Sequence, residues 1–151
     1  MENKLGKISK LKISNIVLKN ISEKDYRFLY CLLKERDQLA NISHRKMPSY
    51  KEHISFIESK PYSKWHVIFQ NNKKVGSIYL SKQDEIGLFL KKDLQSKGIG
   101  SISLGILIKN NPRPRYLANI SPKNEKSIKF FKKNKFNLIQ HTYEFNISFG
   151  K

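Results

Sequence analysis

The clearest chemistry in the chain is carried by six consecutive residues, Gln95-Ser96-Lys97-Gly98-Ile99-Gly100. Two glycines two positions apart let the main chain come close to a ligand. An apolar pattern at Ile102, Leu104, Ile106, Leu107 and Ile108 follows directly and predicts a helix. A helix start presents N–H groups without intrahelical partners and the positive end of the helix dipole. Together the turn and the helix would form an anion site suited to a pyrophosphate. The turn is too short for a Walker-type phosphate loop, and no Lys-Ser/Thr pair follows Gly100. It is not a dinucleotide fingerprint either, since Ser103 stands where the third glycine belongs. Cys31 is the single cysteine, so a disulfide framework within the chain and a cysteine-based zinc cluster are excluded. It reads as a small buried hydrophobe on the first helix, and no metal site is evident.

The elements that must position this turn follow from periodicity. Apolar and polar positions alternate from Leu11 and Ile13 through Ile16, Leu18 and Ile21, predicting one or two short strands after a frayed tail over residues 1–10. Ser22, Glu23 and Asp25 mark a helix start, and Phe28, Leu29, Leu32 and Leu33 carry that helix over 23–36. Residues 37–48 lose the period and form a loop ending in Met47-Pro48. Ser49 caps a second helix in which Tyr50, His53, Phe56 and Ile57 share a face, and Lys60-Pro61 ends it. Trp65, Val67 and Phe69 alternate, Asn71-Asn72-Lys73 turns, and Val75, Ile78 and Leu80 follow as a β-hairpin. Ile86–Leu90 is a further strand leading into the glycine turn, and Pro112 and Pro114 break the helix beyond it. Tyr116–Ile120 predicts a short buried strand, Pro122 and Asn124 open a helix through Ile128, Phe130 and Phe131 to Asn134, and Phe136–Ile147 predicts a closing hairpin. His66 alternates outward from Trp65 and Val67, His44 falls in a loop, and His141 in the last hairpin has no assigned role.

Length and composition bound the rest. A chain of 151 residues fits one domain spanning 1–151. The hydrophobic fraction of 38%, with 9 Phe and 7 Tyr, argues against disorder despite a net charge of +18. The cations are 25 Lys and 5 Arg, beside 18 Ile and 13 Asn, a bias that reads first as AT-rich coding and solubility. A surface selected for phosphate would favour arginine, although a positive field steers any polyanion, a phosphorylated cofactor included. Lys126, Lys129, Lys132, Lys133 and Lys135 fall at helical spacing and read as one solvated face. No run approaches a membrane span, and the N-terminus lacks the apolar stretch of a signal peptide. The expectation is a cytoplasmic protein that binds neither nucleic acid nor membrane.

The glycine turn and its surroundings resemble the GCN5-related N-acetyltransferase (GNAT) superfamily. Its acetyl-CoA signature, Gln/Arg-x-x-Gly-x-Gly/Ala between the fourth strand and the next helix, is matched by Gln95 to Gly100 at every specified position. Glu85–Lys91 reads like the family's fourth strand, and Asn124–Phe136 resembles its second motif. The resemblance runs from about Ile16 to Ile147. It implies an α/β (α+β) fold, with a central, mixed but mostly antiparallel twisted sheet of six to seven strands flanked by about four helices. Within the superfamily, Arg36, Met47, Tyr50, His53 and Phe56 resemble the start of enzymes that acetylate an amino group on a nucleotide-linked sugar, such as those of the pseudaminic acid pathway. Ribosomal-protein N-terminal acetyltransferases share a similar stretch and remain the alternative.

By the resemblance, acetyl-CoA is the co-substrate and no metal takes part. Main-chain N–H groups from Lys97 to Ser101 would hold the pyrophosphate, with Gln95, Ser96, Gly98, Ile99 and Gly100 shaping the turn. Leu88, Phe89 and Leu90 would pair with the pantetheine arm as with an added strand. Asn119 and Asn124 are candidates for further contacts, though Asn124 also reads as a plain helix cap. The reaction implied is direct attack of a neutral amine on the thioester, which needs a proton acceptor. Glu85 stands where the family often places that carboxylate, and His53 titrates in the right range. The plain alternatives are a solvent-facing charge and a partly buried histidine. Phe131 occupies the position where relatives often carry a tyrosine that protonates the leaving thiolate, which leaves Tyr143 or Ser127 as substitutes, an unaided thiolate, or an inactive site. Arg36, Met47, Tyr50 and His53 would form the acceptor wall. The acceptor implied is a small molecule, a UDP-linked 4-amino sugar, handled by a monomer or homodimer. A CoA-binding module without activity and a basic nucleic-acid module are the non-enzyme alternatives.

Overall fold

A computed structural model describes residues 15–36 and 46–147. The expected tail over 1–10, the apolar positions Leu11 and Ile13, and His44 lie outside the described residues. Four strands form one sheet, β1 (Ile16–Asn20), β2 (Lys64–Gln70), β3 (Lys73–Leu80) and β4 (Ile86–Leu90), in the order β1-β2-β3-β4. Every neighbouring pair is antiparallel. The β2–β3 turn uses Asn71 at φ 50° and Asn72 at φ 63°, left-handed values that asparagine tolerates and that match the twist of a tight hairpin.

Among the described residues four α-helices accompany the sheet: α1 (Tyr26–Glu35), α2 (Tyr50–Glu58), α3 (Ile99–Asn110) and α4 (Glu125–Lys133). The period of two along the strands divides their side chains between two faces. On one face Ile16, Ile68, Ile78, Leu80 and Ile86 pack with Ile99, Leu104 and Leu107 of α3. On the other, Val67 packs with Leu29 of α1 and Ile57 of α2. Each such buried aliphatic side chain contributes ~1.5–3 kcal/mol. The α2 start is fixed by a reciprocal pair: the Glu52 N–H donates to Ser49 Oγ at 3.1 Å, and the Ser49 N–H donates to Glu52 Oε2 at 3.2 Å. Such a cap is worth about 1 kcal/mol.

Several expectations are corrected. The sheet has four strands among the described residues, not six to seven. Tyr116–Ile120 contributes one parallel bridge, Glu85 to Leu117, instead of a strand. Phe136 packs against the core, but residues 137–146 form no strand, and Leu138, Ile139, Tyr143, Phe145 and Ile147 stand exposed. Alternation confers a capacity to pair, and pairing needs an open edge alongside. Cys31 is exposed rather than buried. It lies four residues after Arg27 and three before Lys34, on the outer side of α1. His66 is half-buried rather than outward, and its Nδ1 is buried without a hydrogen-bond partner among the described residues.

Candidate active site

β4 ends the sheet, and its outer edge is met only at its start among the described residues. The Ile86 N–H donates to the Leu117 carbonyl at 2.7 Å, and the Leu117 N–H donates to the Asp84 carbonyl at 2.9 Å. Beyond Leu117 the two segments part. Antiparallel pairing gives alternate residues to the neighbouring strand. Glu85 pairs inward with Ser81, so Gly87 and Phe89 also face β3, and the main-chain groups of Leu88 and Leu90 turn to the open edge. Gln95 Nε2 reaches back to the Leu90 carbonyl at 3.4 Å, tying the glycine turn to that edge.

The gap is a cleft of about 630 Å³. Its strand wall is Glu85 through Leu90, and its floor at the turn is Gln95, Ser96, Gly98, Gly100 and Ser101. Opposite stand Asn119, Asn124, Ser127, Phe130 and Phe131. Most of the residues singled out in the sequence for acetyl-CoA therefore share one cavity. Lys97 is exposed and Ile99 is buried in the core, and neither lines it. The turn reverses through Ser96 at φ 63° and Gly98 at φ 84°. At Gly98 a side chain would cost roughly 1–2 kcal/mol in backbone strain. A Cβ on Gly100 would stand 3.0 Å from the Phe130 ring and 3.2 Å from Leu88 Cδ2, so bare backbone is what keeps the first turn of α3 open to the cleft. Asn124 Oδ1 accepts from the Ser127 N–H at 3.3 Å, so it does cap α4, while also facing the cleft. Lys126, Lys129 and Lys133 line the mouth, which a reading of that helix face as merely solvated did not foresee.

A second wall is aromatic. Tyr79 of β3 lies across Gly87 of β4, where a Cβ would overlap its ring. Tyr62 stacks on Tyr79 with centroids 3.7 Å apart and planes 2° from parallel. Trp65 meets Tyr62 edge-on at 4.8 Å, and Phe89 lies 6.3 Å from Tyr79. Arg36, at the end of α1, places its guanidinium 4.8 Å from the Phe89 ring centre. Burial pushes the Tyr79 hydroxyl above the ordinary phenol value. The hydrogen bond with Tyr62 and the charge of Arg36 work against that rise, and Glu85 adds to it. Burial likewise lowers the Arg36 guanidinium, while the phenols of Tyr79 and Tyr62 oppose it. Tyr79 and Arg36 both line the cleft. Tyr79 was not singled out in the sequence, because a tyrosine in an alternating strand looks like core. The one available signal was the small residue Gly87, whose partner across the strands is Tyr79.

The remaining sequence candidates lie elsewhere. His53 is buried between Tyr30 and Phe56, with ring centroids 5.7 Å and 6.4 Å away. Its Nε2 has no hydrogen-bond partner among the described residues, and burial lowers its pKa. Tyr50 packs edge-on against Tyr30 at 5.2 Å with Arg27 over its ring, and Met47 is 43% exposed. None of the three lines the cleft. Tyr143 is 90% exposed and also lies away from it. Among the described residues no group of three or more His, Cys, Asp or Glu could hold a metal, and no helix is long and apolar enough to cross a membrane.

An open-edged β4, a glycine turn and the start of α3 share one cleft, and comparison with known proteins gives the family. The acetyltransferase (GNAT) family profile matches residues 24–136. The chain belongs to that family and is a GNAT-family N-acetyltransferase. No curated protein matches it in sequence. Among solved structures, it is similar to a domain from Methanocaldococcus jannaschii, 26% identical over 85% of this chain and 92% of that one, with a TM-score of 0.71. An acetyltransferase from Thermus thermophilus is 18% identical over 85% of this chain and 91% of that one, at a TM-score of 0.69. The ribosomal L7/L12 alpha-N-protein acetyltransferase RimL, solved in complex with coenzyme A, is 20% identical over 84% of this chain and 82% of that one, at 0.68.

Proposed function

We propose that the chain transfers acetyl from acetyl-CoA to a primary amine by direct attack, and that the amine is the 4-amino group of a UDP-linked amino-deoxy sugar. The observation that carries the acetyl-CoA half is the open edge of β4 leading straight into the turn and the start of α3. The outward main-chain groups of Leu88 and Leu90 fit a pantetheine arm added as a strand. The first amides of α3 fit a pyrophosphate, and Lys126, Lys129 and Lys133 stand where further phosphate charge would lie. Glu85 is the base of this reading. It enters β4 beside the Leu117 bridge and lines the cleft, so a carboxylate stands where the segments part.

The acceptor half rests on the aromatic wall. A planar base suits the Phe89 ring, and a diphosphate suits the Arg36 guanidinium. A net charge of +18 also favours an anionic acceptor over a cationic one. A protein N-terminus is the second reading, favoured by the fold shared with the ribosomal-protein acetyltransferase. Calorimetry with acetyl-CoA, followed by thiol release with UDP-4-amino sugars, N-terminal peptides and spermidine, tests both halves. Binding with turnover on the UDP-sugar alone supports the reading. Turnover on peptides alone replaces the acceptor, and absence of acetyl-CoA binding removes the function altogether.

A further inference from the structure

Departure of CoA leaves a thiolate that needs a proton, and Phe131, which lines the cleft from α4 beside Ser127 and the lysines of the mouth, has none to give. Tyr79 is the one phenol among the residues lining the cleft. Its ring lies flat over Gly87, in the stretch of β4 whose open edge begins where the Leu117 bridge ends. Gly87 is what makes this possible, since any side chain there would push the ring off the strand. Tyr62 holds the ring by stacking on it, with centroids 3.7 Å apart and planes 2° from parallel. Arg36 and Glu85 are the charged groups near the hydroxyl, and both line the same cleft.

The geometry points to Tyr79 as the proton donor to the departing thiolate, with Tyr62 and Gly87 as the residues that position it. This inference rests on the acetyl-transfer reading above and names a residue of that same site. In the step, the amine nitrogen bonds to the thioester carbon and its surplus proton passes to the Glu85 carboxylate. As the C–S bond breaks, the sulfur keeps the electron pair and takes the Tyr79 proton. The proton held by Glu85 then returns to the Tyr79 oxygen. One N–H and one C–S bond are lost, one C–N and one S–H bond are gained, and both side chains end as they began. A phenol is protonated through neutral pH, as a donor must be, and burial shifts it further the same way.

The test uses the full chain with acetyl-CoA and hydroxylamine, a neutral nucleophile that needs no acceptor site, and follows thiol release against pH. Tyr79→Phe should lower kcat about 10²-fold, leave acetyl-CoA affinity by calorimetry within about twofold, and abolish the alkaline limb of the kcat profile. Replacing Tyr79 with 3,5-difluorotyrosine, which keeps the shape and lowers the phenol pKa, should restore turnover and move that limb to lower pH. Tyr62→Phe should give a smaller loss, and Tyr143→Phe none. An unchanged kcat and pH profile in a Tyr79→Phe protein that binds acetyl-CoA overturns the inference and leaves the parent reading standing. A fluorotyrosine protein whose limb stays in place also overturns it. Wild-type protein that fails to bind acetyl-CoA, or releases thiol no faster than the uncatalysed reaction, overturns the parent reading and this one with it.

Discussion

The two sides of the cleft are built on different principles. The side of β4, the glycine turn and α3 works through main chain: outward amides on an open strand, a left-handed Gly98, and the start of a helix. Its parts are contiguous in the chain, so spacing alone carries the information. The aromatic wall works through side chains drawn from distant segments: Arg36 from the end of α1, Tyr79 from β3 and Phe89 from β4, with Tyr62 from the loop before β2 stacked on Tyr79. A backbone site tolerates almost any side chain and forbids only crowding. A side-chain wall tolerates backbone variation and depends on each group it presents.

That contrast orders the effects of substitution. The largest belongs to Gly100→Val. The added carbons would meet Phe130 and Leu88 and occupy the cleft at the first turn of α3. Acetyl-CoA binding should disappear in calorimetry while circular dichroism still reports a folded chain. Binding within a few-fold of wild type would mean the cofactor does not use this turn. Next comes Glu85→Gln, which removes a proton acceptor without changing shape. A loss of about 10²–10⁴-fold in kcat is expected, with acetyl-CoA affinity unchanged. Equal turnover would return Glu85 to the plain role of a charge at a strand start.

The side-chain wall predicts a different signature. Arg36→Ala removes a charge-assisted contact worth about 1.5–3 kcal/mol, so KM for an anionic acceptor should rise about ten- to hundredfold. The KM for acetyl-CoA should stay put, because this reading gives the cofactor to the turn and the open edge of β4. If acetyl-CoA KM rises instead, the guanidinium serves the cofactor and the division between the two sides is wrong.

The same division sets how much was legible in the sequence. The helices over 26–35, 50–58, 99–110 and 125–133, and the β2–β3 hairpin, follow from periodicity, caps and Asn-Asn turn chemistry, all local signals. The turn from Gln95 to Gly100 was legible for the same reason. The failures are all matters of what lies beside what. Residues 137–146 alternate like a strand and pair with nothing described, since local pattern cannot supply a neighbouring edge. Tyr79 was passed over because only the pairing of β3 with β4 lays it across Gly87. His53 drew attention for its titration range, but helical phase turned it into the packing between α1 and α2.

His53 therefore gives the smallest effect and the sharpest check on the comparison. Its imidazole is buried among rings, with Nε2 unpartnered among the described residues, and burial lowers its pKa below the ordinary histidine value. A histidine in the unfolded chain titrates near ~6.5. Below about that pH the unfolded state binds a proton that the folded state resists, so stability is fully present above it and falls as pH drops. The slope cannot exceed about 1.4 kcal/mol per pH unit for one proton. His66 carries the same sign, lowered by burial and by Lys64. His53→Phe should keep kcat and both KM values, change stability at about pH 7.5 by less than about 1.5 kcal/mol, and flatten the fall between about pH 6.5 and 5 in urea unfolding. His53→Phe combined with His66→Phe should flatten it further. A kcat that drops with an altered pH profile would mean that the imidazole reaches the acceptor, and that α2 belongs to the catalytic wall after all.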